Sequence, residues 1–183
     1  MASPRNTRLL AGIVAAPFVV AALYAAFRFT QAAALARRSE PLQIAPTEPK
    51  KRLLILGGGN DMIRMADADA LRAALSRVLF LARARSDNVV LMPSGNVGNA
   101  PFFLWPWSAL MTQRSRVLHA VARQAAAANG ATYVGLFKER SADPFAQEPR
   151  RLLAADRLHP SDAGYALWHR ELLTQSNLSG VLR

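Results

Sequence analysis

The chain has 183 residues, with 23 Lys or Arg against 12 Asp or Glu and a formal net charge of +11, which is enough length for one domain with a proper core plus an appendage. There is no cysteine, which excludes a disulfide framework and a cysteine-rich zinc site. The charge is uneven: residues 1–52 hold 8 of the basic and 2 of the acidic residues, leaving that arm at +6 and the remaining 131 residues at +5. No motif with base-reading side chains accompanies it, so no nucleic-acid partner is expected.

The arm is dominated by Leu9 to Phe27, LLAGIVAAPFVVAALYAAF, 19 residues without a charge between Arg8 and Arg28. That length matches the roughly 20 residues a helix needs to cross a bilayer core. A cleaved signal peptide is the alternative, with Gln31 to Ala36 as a site, although its apolar region usually spans only about 7 to 15 residues. A buried soluble helix is another. The uncleaved anchor is the favoured reading, over residues 1–38, with membrane lipid as its partner; basic residues flanking an apolar run suit anionic headgroups. Arginines on both sides leave the orientation open.

Residues 39–52 contain SEPLQIAPTEPK, three prolines and no apolar period, and read as a linker. The apolar run Leu53 to Leu56 predicts a strand buried on both faces of a parallel sheet, followed by a glycine-rich turn, Gly57-Gly58-Gly59. A nucleotide-binding loop is poorly supported there, since neither G-K-[ST] nor the full G-x-G-x-x-G is present. Asp67 and Asp69 open a helix with Leu71, Leu75, Val78, Leu79 and Ala82 at helical spacing, closed by Arg83 and Arg85. A second strand, Asn88 to Met92, runs into Pro93-Ser94-Gly95-Asn96 and then an aromatic loop, Pro101 to Trp107. Those aromatics suit an acyl pocket or a lipid contact, but also plain packing. A helix from about Ser108 to Ala128, with Leu110, Val117, Leu118, Val121 and Ala125 on one side, stops at Asn129-Gly130. A third strand, Ala131 to Leu136, a final helix from Ser161 to about Gln175 and a short tail, 177–183, complete the chain.

Before that last helix stands Asp156-Arg157-Leu158-His159-Pro160-Ser161-Asp162. A carboxylate three residues ahead of a histidine can hold the imidazole in one tautomer within one turn, as a general base requires. Pro160 fixes the following backbone, and Ser161 and Asp162 suit the first turn of a helix. The plainer reading is a turn aspartate and a surface histidine.

The motif D-x-x-H at Asp156 and His159, with Pro160, Gly164 and Tyr165 behind it, resembles the last motif of the SGNH (GDSL) hydrolases. A second motif of that family, G-x-N-D, stands at Gly58-Gly59-Asn60-Asp61, in the family's order. The resemblance covers about residues 53–176 and implies an α/β, three-layer, flavodoxin-like parallel sheet with the site at the carboxyl ends of its strands. It implies an esterase acting on a small-molecule acyl ester without metal or cofactor. His159 would be the base, Asp156 its orienter and Asn60 an oxyanion donor, with Gly58 and Gly59 shaping the backbone that presents it. Asn60 as a simple turn residue is the alternative.

The family's G-D-S motif, which carries the nucleophile, is missing. Lys50 to Gly57, KKRLLILG, looks like the family's opening strand, yet it runs straight into the G-x-N-D motif, as an in-frame loss of the intervening segment would leave it. The sheet is then expected to shrink to about three strands with an unprotected edge. Ser94 follows a strand and is a candidate substitute nucleophile, while Ser161 is better explained as a helix cap. The reading is a membrane-anchored SGNH-type esterase domain with base, orienter and oxyanion donor but without the G-D-S nucleophile. A non-catalytic binding protein on the same frame is the alternative, and a shortened frame without a function of its own is a further one.

Overall fold

Strand β1, Leu53–Gly57, pairs in parallel with β2, Val89–Pro93, in the register Leu53↔Val89 through Gly57↔Pro93. Strand β3, Thr132–Tyr133, pairs in parallel on the far side of β2, through Val90↔Thr132 and Leu91↔Tyr133. The computed structural model describes residues 23–31, 34 and 52–176. Its sheet has three strands in the order β1-β2-β3, all parallel, as the alternation of strand and helix in the sequence requires.

The continuous apolar run of β2 is buried throughout, and its alternating side chains feed two cores. Val89 and Leu91 join Leu79 and Ala82 of α2, Ala68–Arg83, and Ala122, Ala125 and Ala126 of α3, Trp107–Ala128. Val90 and Met92 join Val134, Leu136 and Leu172, with Trp168 against them, beneath the last helix, Asp162–Gln175. Helices on both faces of a parallel sheet make the expected three layers.

Strand β1 departs from its expected burial. Leu53 and Ile55 pack into the first core, but Leu54 and Leu56 are 48% and 47% exposed. Register places them beside Val90 and Met92, on the face the last helix covers. That cover does not extend to the outer strand, and among the described residues no strand pairs with its free edge.

Strand β3 is shorter than the predicted Ala131 to Leu136. Val134 N–H still donates to the Leu91 carbonyl at 2.9 Å, but Gly135 turns away, its N–H and carbonyl both engaged by the Gln175 side chain at 2.8 and 3.2 Å. In α3 the inner stripe is Met111, Ser115, Leu118, Ala122 and Ala125, and Val117 is exposed instead of facing the core. The predicted caps are present. Asp67 Oδ1 accepts from the N–H groups of Asp69 and Ala70 at 2.9 and 2.8 Å, and Gly130 takes a left-handed φ of 62° after α3.

The apolar run Leu9–Phe27 lies outside the described residues except for its last five, and among the described residues no helix is long and apolar enough to cross a membrane. Residues 23–31 are helical and rest on the domain: Phe29 stacks on Trp107 at 4.4 Å, and the Arg28 guanidinium lies 4.1 Å from the centre of the Phe102 ring.

Candidate active site

Short helices α4, Pro144–Gln147, and α5, Pro149–Leu152, lead into a tight loop before the final helix, α6. The loop is closed by its own backbone. The Ala154 N–H donates to the His159 carbonyl at 2.8 Å and the Ser161 N–H to the Leu152 carbonyl at 2.9 Å. Arg157 sits in the left-handed region, φ 62°, its N–H donating to the Ala154 carbonyl at 2.9 Å. Ser161 Oγ accepts from the Gly164 N–H at 3.2 Å and donates to the Arg151 carbonyl at 2.7 Å, so this serine is a cap, as its place in the sequence predicts.

Inside the loop Asp156 serves two partners at once. Its Oδ1 accepts from the backbone N–H groups of Leu158 and His159, each at 3.0 Å, and its Oδ2 lies 2.5 Å from His159 Nδ1. A carboxylate only accepts, so Nδ1 carries the ring hydrogen and Nε2 is left as the basic nitrogen. Burial, the largest single influence, pushes the Asp156 carboxyl up; the His159 side chain and the two backbone donors outweigh it, and the net shift is below the usual 3.8. Asp156 therefore stays ionised beside the imidazole.

His159 lines a cleft of about 110 Å3 at the carboxyl ends of the strands. One wall is apolar, from Ile63, Val97, Ala100, Leu136, Leu153, Phe145, Leu158 and Trp168; the polar groups are Ser94, Asn96, Asp143 and His159 itself. Ser94 arrives there because it follows β2, with its N–H donating to the Gly57 carbonyl at 3.1 Å. Its Oγ is buried and has no hydrogen-bond partner among the described residues. His159 and Ser94 thus share one cleft without a hydrogen bond between them.

The glycines have separate duties. Gly58 caps the short helix α1, Gly59–Ile63, with a φ of 92°, and a Cβ there would meet Leu118 Cδ1 at 2.8 Å. Gly59 lines the cleft, where a Cβ would come to 3.1 Å from Ser94 Oγ. Asn60 lies in the first turn of α1, directly after β1, and is not among the residues that line the cleft.

Two features have no signal in the sequence. His119 of α3 is buried, its Nε2 2.8 Å from the Ser94 carbonyl and its Nδ1 2.5 Å from the Tyr133 hydroxyl. The carbonyl can only accept, so Nε2 carries the hydrogen and Nδ1 accepts from Tyr133. Burial lowers its pKa below 6.5, the Ser94 bond opposes this, and Arg123 adds to the lowering. A neutral imidazole therefore props the Ser94 turn from behind. Asp143, also buried in the cleft, accepts from Asn99 Nδ2 at 2.7 Å and from the Phe145 N–H at 3.0 Å. Burial raises its pKa against those bonds and Lys138. Asn96 and Asn99 both donate to the Lys138 carbonyl at 3.2 Å, tying the loop after β3 to the loop after β2. Among the described residues no group of three or more His, Asp or Glu could hold a metal ion.

Comparison with known proteins adds a lineage to this geometry. The chain matches the model of the GDSL-like Lipase/Acylhydrolase family over residues 2–167, a span holding both the Gly58–Asp61 and the Asp156–His159 motifs. In fold it is similar to a lipase/acylhydrolase from Enterococcus faecalis, at 23% identity and a TM-score of 0.52, over 71% of this chain and 62% of that one. It is also similar to LAE5, an α/β hydrolase enzyme from the metagenome of Lake Arreo, Spain, at 16% identity and a TM-score of 0.52, over 70% and 61%. The chain thus spans about three fifths of the length of these solved structures. No curated protein matches it. On the family match over most of its length, the chain belongs to the GDSL-like lipase/acylhydrolase family.

Proposed function

We propose that the chain is a membrane-anchored acyl-ester site of the GDSL type with a very low hydrolytic turnover. The observation that carries this reading is the Asp156–His159 pair at 2.5 Å, opening onto an apolar cleft in which no hydroxyl is hydrogen-bonded to His159 among the described residues. His159 Nε2 is the base that takes a proton from whatever attacks the ester carbonyl, and Asp156 holds the imidazole and stabilises its charged form. The family motif, and not the cleft lining, from which it is absent, makes Asn60 the proposed donor to the oxyanion, a contact worth on the order of 3 kcal/mol in serine hydrolases. With no G-D-S serine, water is left as the attacking group, and losing the serine of such a triad costs about a millionfold in turnover. The small cleft suits a short acyl group, and the 19-residue uncharged run supports the anchor.

A second reading rests on one atom. Ser94 Oγ is a buried hydroxyl without a partner among the described residues in the same cleft as His159, and a hydrogen bond from it to His159 Nε2 would make it a nucleophile. One experiment separates the two. The detergent-solubilised full chain is treated with a fluorophosphonate, weighed intact, and assayed on a short activated ester. No adduct and a barely measurable rate are expected. An adduct that Ser94→Ala abolishes would make Ser94 the nucleophile and overturn the low-turnover reading. Tight binding of a non-hydrolysable ester analogue without any turnover would instead identify a binding protein.

A further inference from the structure

The helical residues 23–31 begin with the last five residues of the uncharged run, and they are fastened to the domain at one place. Ala25 is buried, Phe29 stacks on Trp107, and Arg28 lies over the Phe102 ring while donating to the Tyr24 hydroxyl at 3.2 Å. Phe102 and Trp107, which touch this helix, flank Leu104 and Trp105 in the chain. Both are exposed, Trp105 to 80%, and so are Leu23, Tyr24 and Phe27 on the helix itself. A docked helix that leaves three large apolar side chains exposed, next in the structure to a loop that exposes two more, has packed one side and kept the other for a different neighbour.

We propose that Leu104 and Trp105 form the domain's contact with the lipid bilayer, seated at headgroup depth where the N-terminal run leaves the membrane. The inference rests on the anchor reading above and deepens it. With residues 23–27 resting on the domain, only Leu9 to Ala22 of the uncharged run remain for the bilayer, fewer than the roughly 20 a full crossing needs, so the docked end and the domain surface beside it are drawn toward headgroup depth. The surface next to them is therefore brought to the interface, and its most exposed side chain is a tryptophan, whose amphipathic ring is suited to that depth. Arg28, the first charge after the run, stays near the headgroups by reaching past the Phe102 and Tyr24 rings. The same seating brings the cleft close to the membrane. Ile63, Ala100 and Leu153, which line the cleft, belong to the buried cluster against which Phe29 and Trp107 pack.

The test uses the full chain reconstituted into vesicles of phosphatidylcholine and phosphatidylglycerol, with and without brominated acyl chains. Co-flotation with the vesicles in alkaline carbonate is measured first, then quenching of tryptophan emission. The expected result is co-flotation with strong quenching, most of which is lost in Trp105→Phe while Trp168→Phe retains it. Failure to co-float overturns the anchor and this inference together. Co-flotation with quenching unchanged by Trp105→Phe overturns this inference alone. So does protection of Trp105 from acrylamide in detergent that grows with protein concentration, which would assign the patch to a second copy of the chain.

Discussion

Asp156 is the residue whose chemistry is most local, since all three of its donors lie within three positions of it. Its carboxyl is held below 3.8, so the stability it contributes is present above that value and is lost as pH falls through the lower folded value. A carbon-13 titration should find its midpoint below 3.8, and His159→Ala should raise it. His119 gives the second test at this scale. Its pKa is lowered from 6.5, so stability is full above 6.5 and declines as the unfolded chain takes up a proton the folded one refuses. The melting temperature should fall on acidification below about pH 6.5, more steeply than in His119→Gln. His119→Ala, leaving the Ser94 carbonyl and the Tyr133 hydroxyl unpaired, should cost about 2 to 4 kcal/mol in denaturant unfolding. The Asp156–His159 pair could be foreseen because three residues of spacing fix its geometry. The His119 and Asp143 contacts could not, since the first joins residues 14 and 25 apart and the second residues 44 apart.

At the scale of elements, the alternation of strands and helices and the caps at Asp67 and Ser161 were legible, because each is written in adjacent residues. The burial of β1 was misjudged for a physical reason. An apolar run states what a strand would prefer to touch, and Leu54 and Leu56 lack that neighbour among the described residues. Strands β1 and β2 should accordingly respond differently to truncation. Leu91→Ala, in the middle of β2 and 2% exposed, should cost about 2 to 5 kcal/mol. Leu54→Ala, at the same face as Val90 but half in water, should cost less than about 1 kcal/mol. Equal losses in urea unfolding would mean that β1 is covered in solution.

For the whole molecule, the loss of a strand-and-helix segment between Gly57 and Gly58 is a proposal that would account both for the β1 edge left unpaired among the described residues and for the absence of G-D-S. Inserting a G-D-S-bearing segment of about 50 residues from a related hydrolase at that junction should restore serine hydrolase activity, since nucleophile, base and orienter would then all be present. His159→Ala should abolish the regained activity, and Asn60→Ala should lower it by about a hundredfold to a thousandfold if that amide binds the oxyanion. A repaired chain that folds but cleaves no ester, or that tolerates His159→Ala, would show that the pair is no remnant of a triad.

The β1 edge, unpaired among the described residues, also bears on how long each copy of the protein lasts in a cell. Unpaired strand backbone flanked by Leu54 and Leu56 is the kind of surface that chaperones hold and proteases survey in half-made proteins. A finished molecule that keeps such a surface is expected to be cleared with the unfinished ones, which lowers its abundance. In a pulse-chase experiment the chain should decay several-fold faster than its repaired counterpart, and Leu54→Lys with Leu56→Glu, which blunt the edge with charge, should lengthen its half-life without the insertion.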